Sequence, residues 1–208
     1  MNVVVGPNGS GKTTLLKRLA GMRVKDGILN GALSEVRPLL GTTYLPSDLP
    51  DAPISVDKFM LAEDTWYPPS REEVEIAKNA LSELGVLHLF HRRLDTLSSG
   101  ERRLVMIAKA MTKGKTLLLD EPTSNLDPSN SFLVSKRVVD ISTARTVVVA
   151  THDMSLLTLA NWIVMIKEGK LMKQCQPWGV RAEDLEELYG VRFVEVEGGG
   201  RRFLIPAP

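Results

Sequence analysis

Hydrophobic and polar positions fall into blocks whose period changes along the chain, and each change marks an element. Val3–Val5 is a β-branched run ending at Gly6, which predicts a buried strand. After Lys12 the apolar residues Leu15, Leu16, Leu19 and Ala20 recur at helical spacing, and Gly21 stops the helix. Residues 28–31 read as a short strand and turn, and Thr42–Leu45 as a strand closed by Pro46. From Ser47 to Pro69 prolines are frequent and no period holds, which predicts mostly loop. Ser70 and Glu73 form a capping box for a helix that buries Val74, Ala77, Leu81 and Leu84, with Gly85 as its stop. A second amphipathic helix follows Ser99, with Leu104, Ile107, Ala108 and Met111 along one face.

Beyond Gly114 strands return. Thr116–Leu119 and Thr146–Ala150 are unbroken apolar runs, the pattern of parallel strands covered on both faces. Between them, Asp127-Pro128 supplies the cap and first residue of a helix, and Asp153 caps another through Leu156, Leu157 and Ala160. Ile163–Ile166 and Leu171–Lys173 predict a hairpin about Glu168-Gly169, followed by an acidic helix near Glu183–Leu188. Residues 191–205 predict a last hairpin, turning on Gly198-Gly199-Gly200. Strands alternating with helices in this order predict an α/β fold built on a mostly parallel sheet.

Composition narrows the class. A chain of 208 residues, 43% of them hydrophobic, can bury one substantial core. Its 26 basic and 25 acidic residues leave a net charge of +1, which predicts no nucleic-acid partner and no direct lipid binding. The apolar runs fall far short of the roughly 20 residues needed to span a bilayer. No basic region or cleavage site follows Met1, so no secretory signal is expected. Cys175 is the single cysteine, which excludes an internal disulfide and suits a reducing, cytoplasmic compartment.

Two segments carry recognisable chemistry. Gly6-Pro7-Asn8-Gly9-Ser10-Gly11-Lys12-Thr13 fits the phosphate-binding P-loop, G-x-x-x-x-G-K-[ST], between a strand and a helix. Glycines let the amides of Asn8, Gly9, Ser10, Gly11, Lys12, Thr13 and Thr14 curl toward phosphate oxygens at a helix N-terminus. Lys12 is expected to reach the β- and γ-phosphates, and the Thr13 hydroxyl to face Mg²⁺. Leu117-Leu118-Leu119-Asp120-Glu121 is an apolar strand ending in two carboxylates, a Walker B pattern. There Asp120 would hold Mg²⁺ through water, and Glu121 would polarise the water that attacks the γ-phosphate.

Leu97-Ser98-Ser99-Gly100-Glu101 opens the second amphipathic helix, and by itself it is a helix-capping sequence. Together with the P-loop, Asp120-Glu121, Ser124-Asn125-Leu126-Asp127 and Thr151-His152-Asp153, however, it resembles the ATP-binding cassette (ABC) ATPases. The resemblance covers nearly the whole chain. It implies a P-loop NTPase with a RecA-like core over residues 1–49 and 114–175, an inserted helical signature lobe over 50–113, and a tail with a hairpin over 176–208. It further implies ATP and Mg²⁺ as ligands and a head-to-tail dimer, most simply a homodimer. In that dimer Ser98, Ser99, Gly100 and Glu101 face ATP held by the other subunit, Asp127 lies in the D-loop, and His152 sits against the γ-phosphate and water.

Three positions depart from the family pattern. Ser47 stands where a glutamine is usual, leaving Ser47 or Asp48 to serve Mg²⁺. Ser99 replaces the first signature glycine, and Glu101 a glutamine. Met1–Val5 is all that precedes the P-loop, so the family's N-terminal antiparallel strands, and the aromatic ring that stacks on adenine, are expected to be truncated.

Asp153-Met154-Ser155-Leu156, Glu168-Gly169-Lys170 and the tail from Leu188 to Pro206 look like importer ATPases for iron–siderophore, haem or cobalamin. The resemblance then implies a transmembrane permease as partner, with the chain peripheral on the cytoplasmic face of the membrane. Leu49, Ile54, Val56, Phe59, Met60, Leu61, Trp66 and Tyr67 are candidates for the docking groove. A soluble ABC ATPase without a transporter, and a degenerate nucleotide-binding subunit of a heterodimer, are the alternatives.

Overall fold

A computed structural model describes residues 1–25, 27–48, 52–62, 68–198 and 201–207. Its centre is a six-stranded sheet in the order β2-β3-β4-β1-β5-β6. These strands are β1 (Asn2–Val5), β2 (Thr42–Leu45), β3 (Thr116–Asp120), β4 (Thr146–Ala150), β5 (Trp162–Lys167) and β6 (Lys170–Cys175). The first five are mutually parallel, with β1 between β4 and β5, while β6 returns antiparallel to β5.

The apolar runs are continuous because both faces of the sheet are covered. Val3, Val5, Leu117, Leu119, Val147 and Val149 join one core cluster. Their neighbours Val4, Leu118, Val148 and Ala150 join a second, under Leu15 and Leu16 of α1 (Lys12–Leu19). The larger cluster runs on into α2 (Val56–Leu61), α3 (Arg71–Glu83) and α4 (Ser99–Lys113), so the helices inserted between β2 and β3 share one core with the sheet. Further helices are α5 (Pro128–Ile141) and α6 (Ala182–Tyr189). The last hairpin pairs β7 (Phe193–Gly198) with β8 (Arg201–Pro206); Gly199 and Gly200 of its expected turn lie outside the described residues.

Capping chemistry sets the helix starts as expected. Ser70 and Glu73 exchange bonds at α3, Ser98 and Glu101 at α4, and Asp127 caps α5 with Pro128 behind it.

Three expectations are corrected. Residues 28–31 form a turn leading into a 3₁₀ helix, Gly31–Glu35, tied to the sheet by the bond from the Asn30 amide to the Gly169 carbonyl. The stretch expected as mostly loop contains α2. Arg92 and Phe90 carbonyls hold its first amides, and Lys109 of α4 donates to the carbonyls of Phe59 and Ala62 at its end. Asp153 does cap a helix, but the helix is 3₁₀, Met154–Leu159.

Candidate functional site

Four parallel strands deliver chemistry to one edge of the sheet. β1 ends in the P-loop, β3 in Asp120-Glu121, β4 in Thr151-His152, and β2 in Pro46-Ser47-Asp48. The carboxyl ends of parallel strands are where open α/β sheets bind ligands.

Gly6 is required by space and Gly11 by backbone angle, while Gly9, at φ 78°, faces open space. A Cβ on Gly6 would lie 2.2 Å from the Ile166 carbonyl oxygen, and Gly11 caps α1 at φ 105°. The Ser10 carbonyl accepts from the Gly169 amide at 2.9 Å, so the β5–β6 turn braces the loop. Asn8, Gly9 and Thr13 are exposed, Thr14 is half-buried, and the Ser10 hydroxyl is buried with no hydrogen-bond partner. Lys12 is buried, donates to the carbonyls of Gly6 (2.8 Å) and Pro7 (3.2 Å), and lies 3.9 Å from Glu121. Burial lowers its pKa, while the charges of Glu121 and Asp120 oppose that shift.

Asp120 is buried at the tip of β3. One carboxylate oxygen accepts from the Tyr44 hydroxyl at 2.9 Å and the other has no partner. Burial and the Asp120 charge push the Tyr44 phenol above its usual range, so it stays a donor. A buried carboxylate oxygen without a partner is a hard oxygen ligand of the kind that Mg²⁺ requires.

Glu121 stands at φ 47°, a left-handed conformation uncommon for a side chain of this type and one found at functional turns. Its backbone is fixed by donation to the Ala150 carbonyl, and Ser124 closes the turn onto its carbonyl. Its carboxylate lies 2.9 Å from His152 Nδ1 and accepts from the His152 amide at 3.3 Å. The imidazole itself is mostly exposed, so Lys12, Glu121 and His152 form a line from the loop to the surface.

No hydrogen bond or ion pair among the described residues joins the signature segment to the P-loop. Ser98 accepts from the Glu101 amide, and Glu101 accepts from that of Ser98. Gly100 is buried against Asn130, with an added Cβ only 2.3 Å from Asn130 Oδ1. That leaves Ser98, Ser99 and Glu101 as the accessible members. Ser99 shares a cavity of about 260 Å³ with Ser47, Asp48, Arg103, Ser124, Asn125 and Leu126. Asp127 is committed locally, accepting from the amides of Ser129 and Asn130 and from the Asn130 side chain. Those bonds hold its carboxyl below the usual range.

The expected docking residues are not a free surface. Val56 and Met60 are buried, and Ile54, Phe59 and Leu61 pack against the core. Leu49, Trp66 and Tyr67 lie outside the described residues. Two site residues carried no motif, Tyr44 and Arg103, and Tyr189, part of the tail that resembles importers, had no expected place beside the site. Burial pushes the Tyr189 phenol up to about 12, with the Gly6 backbone opposing and the Glu121 charge adding. Among the described residues no helix is long and apolar enough to cross a membrane.

Residues 1–124 match the model of the ABC transporter family. The hemin import ATP-binding protein HmuV of Rhodopseudomonas palustris is 29% identical, over 98% of this chain and 83% of its own. The molybdate import ATP-binding protein MolC of Haemophilus influenzae is 32% identical, over 79% of this chain and 67% of its own. A solved inward-facing structure of a metal-chelate type ABC transporter superposes with a TM-score of 0.85 at 27% identity, covering 100% of this chain and 87% of that one. The chain belongs to the ABC transporter family, as an ATP-binding protein.

Proposed function

We propose that this chain is the ATP-hydrolysing subunit of an importer, acting as a head-to-tail dimer beneath a transmembrane permease. The observation that carries the reading is the convergence of Lys12, Asp120, Glu121 and His152 at the ends of adjacent strands. The P-loop amides and Lys12 bind the phosphates, and the Glu121 carboxylate takes the proton from water as its oxygen bonds to the γ-phosphorus, releasing ADP. His152 holds that carboxylate in place through its amide and ring. Thr13 and Asp120, with Ser47 or Asp48, are the residues to hold Mg²⁺, which when bound neutralises phosphate charge.

The accessibility of Ser98, Ser99 and Glu101 at the N-terminus of α4 supports completion of each site in trans. The N-terminus of α4 then meets phosphate on the partner, by the physics that operates at α1. Metal-chelate or haem-like cargo is favoured because the hemin importer and the metal-chelate transporter match over 98% and 100% of this chain, tail included. The permease places the chain on the cytoplasmic face.

Light scattering of Glu121→Gln with and without MgATP tests the assembly. A shift from monomer to dimer on adding ATP, abolished by adding Lys12→Ala, is the expected result. A mass independent of ATP, with ATP bound, would refute the shared site.

A further inference from the structure

Arg103 is among the largest fully buried side chains of the described residues, at 1% exposure in the first half of α4. A buried guanidinium is costly unless it is paired, and an apolar side chain of that volume would pack at lower cost. Yet no carboxylate pairs with it among the described residues. It donates instead to two successive backbone carbonyls, Pro46 (2.9 Å from Nη1) and Ser47 (from Nη2), and its Nε has no partner.

Those carbonyls belong to the turn that leaves β2. Leu45 pairs with Leu119, so the register brings Pro46, Ser47 and Asp48 out beside Asp120. On the same strand Tyr44 holds one oxygen of Asp120 and leaves the other without a partner. Arg103 thus reaches from the signature helix, behind the segment that lacks the usual glutamine, to the edge assigned to the cation. Burial lowers its pKa, and the charges of Asp48 and Asp120 oppose that, which puts both carboxylates within its field.

We propose that Arg103 is a positioning residue for the cation edge of the ATP site: it fixes the Pro46–Asp48 turn beside Asp120 from inside α4, so that helix and turn move as one body within a subunit. The proposal rests on the ATP-site reading above. It makes the cation, and not the nucleotide, the ligand whose affinity depends on Arg103.

The test uses the full chain carrying Glu121→Gln, so that nucleotide is not consumed. Two affinities are measured: a fluorescent ATP analogue in EDTA, and Mn²⁺ by loss of its free electron-paramagnetic-resonance signal with protein in excess of ATP, so that all the nucleotide is protein-bound and none is left in solution to chelate the ion. Arg103→Met should weaken Mn²⁺ by about tenfold or more, the scale seen when outer-shell partners of metal ligands are removed. Affinity in EDTA should stay within about twofold of the parent, since the P-loop is untouched. Arg103→Lys, which keeps a donor and the charge, should recover part of the loss, and it carries the test if Arg103→Met does not fold. Unchanged Mn²⁺ affinity in a folded variant overturns the proposal, and so does a parallel fall of both affinities, which marks general loosening. Failure of the parent to bind nucleotide both in EDTA and with Mg²⁺ would instead remove the ATP-site reading itself.

Discussion

Substituting Gly169 by alanine separates two costs that usually arrive together. Gly169 sits at φ 73° in the β5–β6 turn, and Gly190 sits at φ 72° as the C-terminal cap of α6. A side chain in this left-handed region costs about 1–2 kcal/mol at either site. Their surroundings differ. A Cβ on Gly190 meets nothing within 4 Å, whereas on Gly169 it would lie 1.8 Å from the Ile28 carbonyl oxygen and 2.9 Å from the Ile28 carbonyl carbon. Backbone cannot rotate aside as a side-chain end can, so the turn must move. That movement strains two bonds, from the Gly169 amide to the Ser10 carbonyl (2.9 Å) and from the Asn30 amide to the Gly169 carbonyl (2.7 Å). Overpacking adds about 1–3 kcal/mol, and each weakened bond up to about 1 kcal/mol. Gly169→Ala should therefore lose about 2 kcal/mol more than Gly190→Ala, more than a tenfold difference in the folding equilibrium. Urea unfolding followed by circular dichroism measures both midpoints, with slopes expected to agree. Because the moved turn braces Ser10, ATP affinity should fall in Gly169→Ala and hold in Gly190→Ala. Equal destabilisation of the two variants, or equal ATP affinity, would refute the bracing role.

Gly100→Ala should cost about 1–3 kcal/mol because its Cβ falls 2.3–2.8 Å from three Asn130 atoms, and adding Asn130→Ala should restore part of the stability in the same urea assay. Leu16→Ala, at a fully buried position under β1 and β3, should lose about 2–5 kcal/mol in urea unfolding.

What the sequence made legible was whatever is encoded locally. The P-loop, the Asp120-Glu121 pair and the caps at Ser70, Ser98 and Asp127 are contiguous, so spacing alone located them. Helix α2 was hidden because tertiary groups hold both its ends: carbonyls of Phe90 and Arg92 at the start, Lys109 of α4 at the finish. The same holds for residues 28–31, where one bond to Gly169 replaced the expected strand. In the site, Lys12 lies 3.9 Å from Glu121 and His152 lies 2.9 Å from it, a juxtaposition that the separate motifs did not spell out. Tyr44 and Arg103 bore no such signal, since a tyrosine in a strand and an arginine in a helix read as ordinary until the fold sets them against Asp120 and the β2 turn. Gly100 was assigned to phosphate on its motif; its contact with Asn130 depends on how α4 packs on α5.

The central claim is that ATP is bound at the P-loop and cleaved with Glu121 as the base. Phosphate release under single-turnover conditions, with MgATP binding measured on the same samples, tests it most directly. Glu121→Gln keeps the shape and removes the base, so the account predicts a rate lower by about 10²–10⁴-fold with ATP still bound. Equal rates in the parent and in Glu121→Gln, at equal occupancy, would contradict it.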